Sequence, residues 1–256
     1  MSEKAPSSHG RFVWYDLMTS DPKGSRAFYT ELFGWGVKEV DMGPGGIYTM
    51  VNNGSEPHHG GIAALDPAHG TPNHWIGYVH VDHLDQTLAK ATELGAKTLL
   101  PATPIPNVGR FAIIADPSGA AIAPMTLDKV DPEKDGQLGS GHFVWSELWS
   151  TDPDQSKKFY TTLFGWGLRD DEMGGFGTYT SWKRGERDFG GMMKAPPHLP
   201  QSAWVFYVKV DHLEESLKRA EKLGAKMLVP PTKIGEVGSF TVIQDPQGAV
   251  LAMYNR

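Results

Sequence analysis

The run Phe12–Leu17 (FVWYDL) is aromatic and β-branched, which predicts a half-buried strand. Directly after it, Ala27, Phe28, Leu32 and Phe33 fall at helical spacing on one face. Asp21 and Pro22 stand where a helix takes its N-cap carboxylate and its first-turn proline, and Gly34 stands where it stops. Further along, Ile47–Asn52 and His59–Leu65 read as short strands, and Trp75–Val81 alternates as another. Leu84–Leu94 is amphipathic, is preceded by an apparent capping box at Asp82–Asp85, and is closed by Gly95. Pro101–Arg110 reads as a proline-rich loop, followed by a strand at Phe111–Ala115, a tight turn at Asp116–Gly119 and a returning strand at Ala120–Met125.

The pattern is written twice. Gly10–Gly36 recurs at Gly141–Gly167, 131 residues on, with sixteen of 27 positions identical. The later elements recur as Trp204–Val210, Leu213–Leu223, a Pro230–Ser239 loop, Phe240–Gln244 and Ala249–Tyr254. Each half therefore holds two units of strand, helix and further strands. The stretch 126–140 is charged, aperiodic and contains Pro and Gly, which predicts a linker between domains at 10–125 and 141–256.

Composition narrows the partners. A hydrophobic fraction of 39% with 27 aromatic residues supplies a packed core. The net charge of −6 gives nucleic acid no electrostatic foothold. No apolar run approaches the roughly 18–20 residues of a membrane span, and the first residues form no hydrophobic signal region. The absence of cysteine removes disulfides, thiolate metal sites and a cysteine nucleophile. The expectation is a soluble cytoplasmic protein whose partner is a small molecule rather than nucleic acid or membrane. Its domains would pack on each other, in a monomer or a homodimer.

Four such units in two tandem domains, with FY..LFGW at Phe28–Trp35 and Phe159–Trp166 and DP.GA at Asp116–Ala120 and Asp245–Ala249, resemble the vicinal oxygen chelate superfamily of glyoxalases, bleomycin-resistance proteins and extradiol dioxygenases. The resemblance implies an α+β fold of two tandem glyoxalase-like domains. Each would hold two βαβββ-type units, with curved mixed sheets around a cavity. It implies metal ligands on the first and last strands of paired units. Those positions fall here on Trp14, Trp145, Ile76, Val205, Ala123 and Ala252, which have no lone pair to offer a cation. No metal or other cofactor is therefore expected at the ordinary site. The histidines His58, His59, His69, His74, His80 and His83 leave two readings open, a private metal site in the first half or solvated loop and turn side chains.

Strand alternation names the candidate site residues. Trp14 shares its face with Phe12 and Asp16, and Trp145 with Phe143 and Glu147. Ile76 brings His74, Tyr78 and His80, Val205 brings Tyr207 and Lys209, and Ala252 brings Tyr254. Aromatic walls with one carboxylate are what a small-molecule pocket offers, and the same tryptophans can equally fill a core. The leading expectation is metal-independent binding of a small apolar or aromatic molecule by Trp14, Trp145, Tyr78, His80, Tyr207, Lys209 and Tyr254. The alternative is a glyoxalase-like lyase, isomerase or hydroxylase-like enzyme in which Asp16 and Glu147 act as acid–base groups.

Overall fold

The computed structural model describes residues 8–54, 57–66, 68, 70–130, 138–174 and 177–256. In the first half, strand β1 (Phe12–Thr19) leads into helix α1 (Pro22–Phe33), then β2 (Gly36–Asp41), β3 (Ile47–Asn52) and β4 (Gly60–Ala64). Then come β5 (His74–His80), α2 (Leu84–Glu93), β6 (Lys97–Ile105), β7 (Gly109–Ala115) and β8 (Ala121–Leu127). The second half repeats the series as β9 (Phe143–Ser150), α3 (Pro153–Phe164), β10 (Gly167–Glu172), β11 (Thr178–Arg184) and β12 (Arg187–Lys194). It closes with β13 (Ala203–Lys209), α4 (Leu213–Lys222), β14 (Lys226–Ile234), β15 (Gly238–Gln244) and β16 (Val250–Asn255). The fold is α+β.

The elements form for the reasons visible in the chain. Asp21 accepts the Gly24 N–H at 3.0 Å and Asp152 the Gln155 N–H at 3.1 Å, so each carboxylate satisfies an amide that the first helical turn leaves open. Gly34 ends α1 in the left-handed region at φ 67°. The second and fourth helices start differently. His83 and His212 occupy the N-cap positions without a side-chain capping bond, so the apparent capping box at Asp82 is not one.

Two mixed sheets of eight strands result, ordered β2-β3-β4-β1-β5-β8-β7-β6 and β10-β11-β12-β9-β13-β16-β15-β14. The proline-rich segments expected as loops, 101–110 and 230–239, instead run through the second halves of the edge strands β6 and β14 and their turns into β7 and β15. The physical reason lies in the register. It shifts between Leu100 and Thr103, around Pro101, and between Val229 and Thr232, around Pro230 and Pro231. Bulges on an edge tolerate a residue that cannot donate to the ladder.

Each sheet stays within one half of the sequence, but each compact unit draws on both. Of the described residues, one unit comprises those within 1–13, 77–136 and 148–204, and the other those within 14–76, 137–147 and 205–256. The repeated motifs hold each unit together. In the second-named unit, Tyr29 of α1 donates to Asp245 at 2.8 Å, receives the Trp75 indole N–H at 3.0 Å, and Trp35 donates to the Gly141 carbonyl at 2.8 Å. In the other, Tyr160 donates to Asp116 at 2.8 Å, receives Trp204 at 3.0 Å, and Trp166 donates to the Gly10 carbonyl at 2.8 Å. Asp245 and Asp116 also accept backbone N–H groups of their own turns, Gln247 and Ala249 in one, Ser118 and Ala120 in the other. The FY..LFGW and DP.GA signatures are thus two ends of one clamp, made twice. Among the described residues no helix is long and apolar enough to cross a membrane.

Candidate functional site

Strand β1 presents two unlike faces. Leu17 and Thr19 are buried, and the Thr19 hydroxyl lies 2.9 Å from Ser25 on α1, which fixes this face against the helix. The alternate residues Trp14 and Met18 are half-buried, as are Tyr48 and Met50 of β3. In their midst Asp16 is only 7% exposed. Its Oδ1 accepts the Trp14 indole N–H at 2.8 Å and the Tyr48 hydroxyl at 2.6 Å, and the same indole N–H also reaches the Tyr48 oxygen at 2.8 Å. Two donors on one carboxylate oxygen stabilise negative charge there. The Tyr48 hydroxyl is pushed above its ordinary value, by burial first and by the Asp16 charge second.

Glu147 is likewise buried, and Tyr207 donates to its Oε1 at 2.9 Å. The remaining candidates are placed as follows. Tyr78 is buried with its ring centroid 5.5 Å from Phe111. His80 is buried, its Nε2 lies 3.8 Å from Asp82, and burial pushes its imidazole below the ordinary range against the pull of that carboxylate. Lys209 donates to the Leu138 carbonyl at 3.2 Å, and Tyr254 to the Val237 carbonyl at 2.5 Å, so both side chains tie down neighbouring backbone. Trp145 is half-buried. Phe12 does not join Trp14 and Asp16; its ring packs on Trp204, Trp166 and Phe189 at 5.6, 5.8 and 6.2 Å.

Reading the sequence alone missed Tyr48, the donor that completes the Asp16 cluster. The signal was present in the repeat: Tyr48-Thr49 recurs as Tyr179-Thr180, and the following Gly60-Gly61 as Gly190-Gly191.

The histidines lie apart in their roles. His59 sits among Trp35, His142 and Phe143, with ring centroids 5.4, 5.4 and 5.7 Å away, and neither ring nitrogen finds a hydrogen-bond partner among the described residues. His74 Nδ1 lies 2.8 Å from the Pro72 carbonyl, and His83 is the N-cap residue of α2. His69 lies outside the described residues. Among the described residues no three of His, Asp and Glu converge where a cation could be held. Ile76, Val205, Ala123 and Ala252, at the positions where the resemblance puts ligands, are buried and apolar. This donor set does not fit a bound metal there.

The profile of the "Glyoxalase/Bleomycin resistance protein/Dioxygenase superfamily" matches residues 11–123 and again 139–253. The chain is 31% identical over 266 residues to "Putative glyoxylase CFP32" of Mycobacterium tuberculosis, covering 99% of this chain and 97% of that protein. It is 28% identical over 259 residues to the anthracycline biosynthesis protein DauV of Streptomyces sp. (strain C5), covering 94% and 91%. In structure it resembles the Mn(II)-bound glyoxalase from Novosphingobium aromaticivorans, with a TM-score of 0.65 at 16% identity over 98% of this chain and 83% of that one. With the family profile matched twice and a full-length relative at 31% identity, the chain belongs to the glyoxalase/bleomycin resistance protein/dioxygenase superfamily.

Proposed function

We propose that the chain binds a small hydroxylated aromatic molecule without a metal, on the strand face that carries Trp14, Met18, Tyr48 and Met50. The observation that carries this reading is Asp16. A carboxylate 7% exposed, with Oδ1 fixed by an indole and a phenol, is a polar anchor set in an otherwise apolar, half-open surface. Such a surface takes a flat apolar body and holds it in one orientation through a hydroxyl or amine directed at the carboxylate. Similarity to an anthracycline biosynthesis protein supports a fused-ring ligand.

A second reading rests on the same 2.6 Å Tyr48–Asp16 bond. The carboxylate so held can accept a proton from a bound substrate, while the phenol keeps its own proton and holds Asp16 in place. Titration with a hydroxyanthraquinone, followed by tryptophan fluorescence and calorimetry, tests the binding. Asp16→Asn is expected to weaken affinity about tenfold, or about 1.4 kcal/mol, with a near-unchanged melting temperature. Binding should survive prior dialysis against a chelator. Equal affinity in the variant, or binding restored only by added metal, would overturn the proposal.

A further inference from the structure

The Asp16 cluster depends on the residue that lies beneath the Tyr48 ring. Tyr48 stands on β3 and Asp16 on β1, and β4 lies between them. To bond Asp16 the phenol must therefore pass over β4, where the register places Gly61 directly beside Asp16. A Cβ built on Gly61 would lie 2.0 Å from the Tyr48 hydroxyl oxygen, 2.3 Å from Cζ and 2.7 Å from Cε2. No side chain fits beneath that ring. The second half carries the same arrangement: a Cβ on Gly191 of β12 would lie 1.9 Å from the Tyr179 hydroxyl and 2.4 Å from its Cζ, with Tyr179 on the adjoining strand β11. Neither glycine has a positive φ, so backbone conformation does not explain its presence. What both positions share is a tyrosine lying flat across the peptide.

We infer that Gly61 is a positioning residue, the seat that lets Tyr48 cross a strand and set its hydroxyl against Asp16, and that Gly191 seats Tyr179 in the same way. The inference rests on the proposed ligand face for its functional meaning but not for its test. Gly61→Ala pushes the phenol off β4. Asp16 then loses the Tyr48 donor, and the Trp14 N–H loses one of its two acceptors.

The test reads Tyr48 without any ligand. With tyrosine labelled at Cζ, Tyr48 is assigned by its loss in Tyr48→Phe and titrated by NMR. In the wild type its hydroxyl stays protonated well beyond the ordinary tyrosine range, as burial and the Asp16 charge demand. In Gly61→Ala it is expected to titrate at lower pH, towards the ordinary value; an unmoved titration would overturn the inference. Stability gives a second, independent readout. Gly61→Ala should lower the melting temperature in the wild type but not in a Tyr48→Ala background, because the ring is then gone. An equal loss in both backgrounds, or a double variant that fails to fold where Tyr48→Ala folds, overturns the seat. Hydroxyanthraquinone affinity on the same proteins separates the two proposals. A displaced Tyr48 with a wild-type affinity keeps the seat and refutes the ligand face.

Discussion

His59→Phe is expected to stabilise the protein, and more so in acid. The imidazole lies in an aromatic box with both nitrogens lacking partners among the described residues, and an unmade buried hydrogen bond costs about 1–3 kcal/mol. The other half of the chain shows what fits the box. At the matching place Phe189 packs on Trp166 at 5.0 Å, as His59 does on Trp35 at 5.4 Å. At neutral pH the substitution should therefore gain about 1–2 kcal/mol, which for a chain of this size raises the melting temperature by about 2–4 °C. Burial, then the neighbouring His142 and His58, pushes the His59 pKa from 6.5 down to about 4. Between those values the unfolded chain binds a proton that the folded protein refuses, so stability falls as pH drops from 6.5 towards 4. The penalty reaches roughly 3 kcal/mol before any discount for partial exposure. Calorimetric melts of both proteins at pH 7.5, 6, 5 and 4.5 cancel the contributions of all other groups. The difference between them should widen steadily below pH 6.5. A constant difference, or a variant that melts lower at pH 7.5, would refute the reasoning.

Two other perturbations follow from the clamps and the edges. Tyr29→Phe removes a hydroxyl that serves both Asp245 and Trp75, and should cost about 2–3 kcal/mol in urea unfolding, with Tyr160→Phe close to it; a loss under 0.5 kcal/mol would show that the phenols are dispensable. Pro101→Thr with Pro104→Thr gives edge strand β6 the N–H groups it lacks, and static light scattering should rise with concentration in the variant alone; an unchanged scattering mass would mean that the edge is protected by other means.

Much of the fold was legible because local chemistry and long-range pattern agreed. The Asp21-Pro22 cap, the Gly34 stop and the doubled opening strand each have one dominant physical meaning. The edge strands β6 and β14 were not legible, because proline density marks a loop unless the register shifts that absorb it are seen. Strand β2 (GVKEVD) lacks an apolar alternation and escaped notice, since an exposed edge strand needs no buried face. At the candidate site, alternation placed Asp16 beside Trp14. It could not supply Tyr48, whose approach crosses an intervening strand. It also grouped Phe12 with Trp14, although the Phe12 ring packs on Trp204 and Trp166 instead. The role of Tyr29 and Tyr160 was hidden for a different reason. Their partners, Asp245 and Asp116, lie in the opposite half of the sequence.

That last pairing has a kinetic consequence. The Tyr160–Asp116 clamp closes a loop of 44 residues, whereas Tyr29–Asp245 spans 216. Loop-closure entropy alone sets the longer clamp behind by about 1.4 kcal/mol, and ribosomal synthesis delays it further, because Asp245 emerges long after Tyr29. The compact unit built on Asp116 and Tyr160 can therefore assemble while the chain is still being made. Helix α1, synthesised first, must wait for the turn at Asp245 before the Tyr29 hydroxyl gains its carboxylate. During that interval the Tyr29 hydroxyl holds only the Trp75 indole N–H, and the clamp is half made.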